Sequence, residues 1–389
     1  MKNEIENCFK SVDLLADNYL DFLRTLVKIS SKSEDKTGVD AVLDKIIEHE
    51  NSNGYKLIRQ PMENSGDVAS FTLFNAKNLP TVCLSAHMDT VFKKGEFAQP
   101  VITEDAENLY GPGVSDNKGG IAVGFLAMAA LKMSGFDRAN IKMILQSDEE
   151  VSSELSGKKT IEFMCEQAKE SSAFLNLELG SNNVLTTARY GIIKAKFDIT
   201  GSAAHASKKM SGIGINAIKE AAYKILEIEN KEVTEDLSFS VGTVNGGTTT
   251  NTIAEHCSFT VDCRIKTNAS EQAAKTFLQN VADTQYVKGT SCKLTYVGIH
   301  SPFEPNKKTN DLFNIINDAS IKYLGENLVA VTAGGAADSA YPSALGIPSI
   351  DSMGVDGGNL HTTREYMIKK SLAPRAKRII SAIYGVINQ

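Results

Sequence analysis

Apolar residues recur at helical spacing from Val12 to Ile29 and again from Val39 to His49, predicting two opening helices. Short β-rich runs follow at Tyr55–Arg59, Ala69–Phe74 and Thr81–Ser85. Next come an apolar helix over Ile121–Met133 and a continuous apolar run, Ile141–Gln146, of the kind a strand covered on both faces shows. Strands alternating with helices predict an α/β sheet with parallel strands. From about Tyr190 the texture changes. Ile192–Thr200 alternates like a half-exposed strand, Gly214–Glu229 is amphipathic, Ser238–Val244 and His256–Ile265 are strand-like, Ala269–Asp283 is helical, and Ser291–Gly298 is strand-like. This β-α-β-β-α-β order is that of a small ferredoxin-like domain. Helix–strand alternation resumes after Phe303 and ends in a helix over Leu372–Ile387. The expected domains are therefore residues 1–189 with 302–389, and an inserted domain over 190–301, with hinges near Tyr190 and Ser301–Pro302.

Length agrees, since 389 residues exceed one ordinary core. A hydrophobic content of 42% and a charged content of 23% are those of a globular chain. The net charge of −6 argues against nucleic acid or an anionic membrane surface as the main partner. No run reaches the roughly 18 apolar residues of a membrane span, and the charged first thirty residues do not form a secretory signal. Six cysteines without C-x-x-C spacing fit reduced thiols and a cytoplasmic enzyme.

The polar residues that break this pattern fall where strands end. His87 and Asp89, in L-S-A-H-M-D-T, are two apart and share one side of an extended segment, so a ring and its orienting carboxylate can lie together. Asp116 projects from the glycine-rich Y-G-P-G-V-S-D-N-K-G-G, which equally fits a turn with a capping Asp. Glu149 and Glu150 follow the 141–146 strand, where paired acids are commonly a solvated run, yet sites form at carboxyl ends of α/β strands. Glu178 sits in F-L-N-L-E-L, an acid inside an apolar strand, which needs a cation, a hydrogen-bond network or exposure. His361 follows G-G-N-L in a later loop. Each is ambiguous alone. Together, two histidines and three carboxylates are a zinc donor set, with one carboxylate left over to take a proton.

The ordered set H-M-D-T-V-F, Y-G-P-G-V-S-D-N-K-G-G, S-D-E-E, L-E-L and N-L-H resembles the zinc aminoacylase and carboxypeptidase family. That family includes glutamate carboxypeptidase, acetylornithine deacetylase, succinyl-diaminopimelate desuccinylase and tripeptide aminopeptidase. The likeness runs from about His87 to the end. The G-G-A-A-D-S-A-Y stretch at 334–341 leans it towards the glutamate carboxypeptidase branch. The resemblance implies a two-domain co-catalytic zinc exopeptidase fold, its ferredoxin-like α+β insert acting as a lid that joins a homodimer. It implies two Zn2+ per chain, with Co2+ or Mn2+ as substitutes: His87 and Glu178 at one, Glu150 and His361 at the other, and Asp116 bridging them, joined to Asn117 by a cis peptide. Glu149 becomes the general base and Asp89 orients His87. His205, in G-S-A-A-H-A-S, becomes an oxyanion donor; by itself it also fits a solvated loop histidine. Asn251 and Arg264 become holders of a substrate carboxylate, and Gly335 part of the pocket floor. The implied reaction is hydrolysis of an amide beside a free carboxylate, in a small peptide by a carboxypeptidase or dipeptidase. The alternatives are an N-acyl-amino-acid deacylase, an aminopeptidase, or an inactive metal-binding scaffold.

Overall fold

A computed structural model describes residues 2–388 and divides them into two compact units. Unit 1 comprises residues up to Ala188, Pro305–Thr332 and Ala337 onwards; unit 2 comprises Arg189–Glu304 and Ala333–Ala336. In chain order the main strands are β1 (Lys56–Gln60), β2 (Val68–Leu73), β3 (Thr81–His87), β4 (Asn140–Gln146), β5 (Ala173–Asn176), β6 (Gly191–Thr200), β7 (Leu237–Gly246), β8 (His256–Ile265), β9 (Ser291–His300) and β10 (Ser349–Ile350). The main helices are α1 (Lys2–Val27), α2 (Lys36–Glu50), α3 (Lys118–Met133), α4 (Lys159–Ala168), α5 (Ala217–Glu229), α6 (Asn268–Asp283), α7 (Lys307–Leu324) and α8 (Leu372–Ile387).

Unit 1 is a mixed sheet in the order β1-β2-β4-β3-β5-β10. β3 runs parallel to both β4 and β5, so all three deliver their carboxyl ends to one edge. Both faces are covered, which explains why these strands read as unbroken apolar runs. Along β3, Val82, Leu84 and Ala86 enter the large core shared with α1, α2, α3 and α8. Cys83 points the other way, into a smaller cluster with Ile144, Phe174 and α4 residues Ile161, Phe163 and Met164. Burying each of the larger of these, such as Leu84, Ile144 or Phe174, contributes about 1.5–3 kcal/mol. The Asp35 side chain caps α2 by accepting from Gly38 N at 3.1 Å.

Unit 2 is a four-stranded antiparallel sheet in the order β7-β8-β6-β9 with α5 and α6, the ferredoxin-like arrangement. β6 alternates as read from its sequence: Ile193, Ala195, Phe197 and Ile199 are buried and the lysines between them face outward. Phe197 stacks on Phe259 of β8, with ring centroids 4.6 Å apart. The helices are tied by a wholly buried lysine, Lys224. It pairs with Glu220 at 3.1 Å and donates to the carbonyls of Val281 (2.6 Å) and Ala282 (3.2 Å) near the end of α6.

Most elements differ from the sequence reading by a few residues at an end, and two differences matter more. α1 begins ten residues early, because Ile5 and Cys8 extend its buried stripe. Glu178 is not within a strand: β5 ends at Asn176, and Glu178 lies just beyond its carboxyl end.

Candidate metal centre

Six side chains converge at the shared carboxyl edge of unit 1. His87 is the last residue of β3, Glu149 and Glu150 open a short turn after β4, and Glu178 follows β5. Asp116 stands just before α3, and its peptide to Asn117 is cis. His361 comes from the loop beyond β10. Close backbone approach here depends on glycine: a Cβ on Gly354 would collide with the carbonyl oxygens of Leu177 and Glu178.

The carboxylate of Asp116 is shared. Its Oδ1 is 3.1 Å from His87 Nε2, and its Oδ2 is 3.3 Å from His361 Nε2. His87 Nε2 is also 3.6 Å from Glu178 Oε1, and His361 Nε2 is 3.1 Å from Glu150 Oε2. The donor atoms therefore form two groups, His87–Asp116–Glu178 and Asp116–Glu150–His361. Ligands about 2.0–2.1 Å from one tetrahedral zinc are separated by roughly 3.3–3.4 Å. The observed spacing, the mixed nitrogen and oxygen donors and the common carboxylate all fit a pair of divalent cations.

Charge gives the same fit. The carboxylates of Asp116 and Glu150 push His361 up to about 10. Burial pulls His87 down, but Asp116 and Asp89 outweigh it and hold the ring well above its ordinary range. The acids crowd a buried space, and desolvation pushes Glu150 up to about 7. Burial also raises Glu149 well above the usual carboxylate range, opposed by His87 and reinforced by Asp338 and Glu178. A buried carboxyl with a raised pKa is a group able to exchange a proton near neutral pH.

Asp89 does more than orient His87. The ring Nδ1 is 3.3 Å from Asp89 Oδ1 and 3.1 Å from its backbone oxygen. The same carboxylate accepts from the backbone N–H groups of Glu149 and Glu150, both at 3.2 Å, and from Ser33 Oγ at 2.7 Å. One buried acid thus fixes an imidazole and the turn carrying two glutamates.

Sequence reading did not single out Ser33 or Glu365. The Glu365 Oε1 accepts from Ser115 N (2.9 Å), Ser115 Oγ (3.1 Å) and Asp116 N (3.0 Å), and its Oε2 from Gly113 N (3.0 Å). It holds the loop that presents Asp116. Its only sequence signal is an acid four residues after His361.

The other named residues lie in unit 2. His205 pairs across a two-residue ladder with Thr252, and its Nδ1 is 2.8 Å from Ser207 Oγ. The neighbouring Asn251 accepts from Ala206 N at 2.8 Å through its carbonyl and from Thr249 Oγ1 at 2.9 Å through its side chain. The structure brings these two together. Arg264 is elsewhere, near the far end of β8, eight residues and roughly 27 Å from His256. Its guanidinium donates Nε to Asp262 Oδ1 at 2.7 Å and Nη2 to Asp262 Oδ2 at 3.3 Å. It lines a cavity of about 370 Å3 with Tyr190, Glu235 and Gly334. Gly335, next along, accepts from Arg189 Nη1 at 3.3 Å.

Residues 83–384 match the model of peptidase family M20/M25/M40. The chain belongs to that family and is a hydrolytic enzyme of the metallopeptidase class. Among its relatives is carboxypeptidase G2 of Pseudomonas sp. (strain RS-16), 27% identical over 365 residues that cover 91% of this chain and 85% of that one. The fold is shared with aminopeptidase PepT from Bacillus cereus (TM-score 0.77, 19% identity, 95% and 98% of the two chains). It is shared also with the M20 metallo-carboxypeptidase Sso-CP2 from Sulfolobus solfataricus (TM-score 0.76, 16% identity, 95% and 99%). Among the described residues no helix is long and apolar enough to cross a membrane.

Proposed function

We propose that this enzyme hydrolyses an amide bond beside a free carboxylate, releasing a C-terminal amino acid from a small peptide in the cytoplasm. The observation that carries the reading is the division of the Asp116 oxygens between His87 and His361, at spacings that suit two zinc ions. His87 and Glu178 would hold one ion, Glu150 and His361 the other, with Asp116 common to both; Co2+ or Mn2+ would substitute. When bound, such ions polarise a carbonyl and lower the pKa of water towards about 7.

The protein's own groups supply the rest. Glu149, raised by burial, accepts the proton of the attacking water and returns it to the departing amine nitrogen. Asp89 keeps His87 in one tautomer and holds the Glu149 turn through two backbone N–H groups. In the reading proposed here, residues 1–189 and 302–389 form the catalytic domain. Residues 190–301 form a lid that binds substrate and joins two copies. His205 is the oxyanion donor, Asn251 and Arg264 hold the substrate's carboxylate, and Gly335 floors the pocket. The distance between Arg264 and the His205–Asn251 pair supports a homodimer, because one chain's lid does not gather all three around one small substrate. The likeness to carboxypeptidase G2 supports that branch. A deacylase would use the same groups on an N-acyl amino acid.

Hydrolysis of a mixed panel of dipeptides and N-acyl amino acids by zinc-loaded protein, beside Glu149→Ala, tests the proposal. Release of a C-terminal residue that disappears in the variant supports it, and preference for acyl groups shifts the assignment to a deacylase. No turnover by protein carrying two zincs would leave a metal-binding scaffold.

A further inference from the structure

Beside the metal cluster, but not part of it, unit 1 contains a cavity of about 660 Å3, a volume suited to a small organic ligand. It opens between the end of α1, the first turns of α2 and the loop 91–102. None of His87, Asp89, Asp116, Glu149, Glu150, Glu178 and His361 lines it. Its walls are largely apolar, built from Val27, Ile29, Ala41, Phe92, Phe97 and Ile102. Phe92 and Phe97 meet edge to face with centroids 4.8 Å apart, so an aromatic wall is already formed.

Three of the four charged side chains that line this apolar space are cationic. Lys28, Lys93 and Lys94 line it and are exposed. The acid among its lining residues, Asp35, is committed to capping α2. Glu34, close enough to Lys93 to feel its charge, pairs with Lys32 at 2.8 Å. The amino end of the 15-residue α2, which lines the cavity through Thr37 and Gly38, adds the positive end of the helix dipole. We infer that this cavity binds an amphipathic organic anion, a single carboxylate or sulfonate on an aryl or short acyl body. The body packs against the phenylalanine wall and the anion meets the lysines.

The cavity also backs onto the site's supports. Thr90, in its lining, follows Asp89 and donates its N–H to Ser31 O at 2.8 Å. Ile29, also in the lining, accepts Lys118 Nζ at 2.7 Å, and Lys118 stands two residues past Asp116. The ligand therefore rests on the same backbone that holds the metal cluster, while touching none of its donor atoms.

The test is titration of the full, zinc-loaded chain with anilinonaphthalene sulfonate, followed by fluorescence. The double variant Lys93→Glu/Lys94→Glu and the cavity-filling Ala41→Trp are compared with wild type. Expected are one saturable site per chain, at least tenfold weaker binding after charge reversal, and loss of binding after filling. The uncharged phenylnaphthylamine should bind at least tenfold more weakly than the sulfonate. Charge reversal touches only exposed residues, so that arm stands even where Ala41→Trp fails to fold. Absence of saturable binding, unchanged affinity in the charge-reversed protein, or equal binding of the uncharged analogue would overturn the inference.

Discussion

Glu365 is the residue whose replacement reads the account most sharply away from the donor atoms. Its carboxylate is buried and takes four hydrogen bonds from the loop 113–116, three from backbone N–H groups. Glu365→Ala leaves all four donors buried and unmet, at about 1–3 kcal/mol each. That sum approaches the 5–15 kcal/mol stability of a whole domain, so the alanine variant is expected to be poorly folded. Glu365→Gln separates folding from positioning. Oε1 carries three of the bonds and Oε2 one, so the amide settles with its oxygen in the Oε1 place and its NH2 facing Gly113 N. One bond is lost and two donors are opposed, a cost of about 1–3 kcal/mol. The loop then presents Asp116 less firmly, and supports of metal ligands are typically worth 10–100-fold in affinity. Zinc competition against a chromogenic chelator, with urea unfolding of the same samples, measures both effects. The expected result is a folded variant with tenfold or more weaker zinc binding. A Gln variant that matches wild type in both refutes the positioning argument.

Other expectations follow from the same kind of reasoning. Lys224→Met removes the cation facing buried Glu220, which keeps the N–H groups of Tyr286 and Val287, and strips carbonyls at the end of α6, so unit 2 should lose about 2–4 kcal/mol in denaturant unfolding. Gly354→Ala places a methyl group against Leu177 O and Glu178 O, and zinc binding should fall even where circular dichroism remains native. Asp67 accepts from Lys36 Nζ at 2.7 Å and Arg59 Nε at 2.8 Å. Burial raises its pKa, but these bonds outweigh it and hold Asp67 below its ordinary value of 3.8. Its stabilisation is therefore full above that value and is lost as pH falls through the lower folded one. Asp67→Asn should cost about 1–2 kcal/mol at pH 7 and progressively less in acid, as read from urea midpoints.

Much of this was legible in the chain because periodicity and ligand chemistry leave local marks. The helix Leu372–Ile387 and the strand His256–Ile265 were read to the residue, since their apolar stripes end where the elements end. His87, Asp116, Glu149, Glu150, Glu178 and His361 stood out as polar residues against apolar runs or glycine turns. F-L-N-L-E-L reads as an apolar strand with Glu178 inside it. β5 in fact stops at Asn176, although Leu177 N still bonds to Ser85 O at 2.8 Å. Ser33 and Glu365 left no mark. Their partners are 56 and about 250 residues away, and a serine or glutamate that serves distant backbone has no period or motif. The separation of Arg264 from His205 likewise depends on strand register, which residue types alone do not reveal.

The central claim is that Asp116 serves two cations at once. Zinc content per chain, measured by mass spectrometry after loading and desalting, tests it in wild type and His361→Ala. The account predicts two zincs in wild type and one in the variant, whose His87–Asp116–Glu178 group is intact. One zinc or none in wild type, or two retained after His361→Ala, would contradict it.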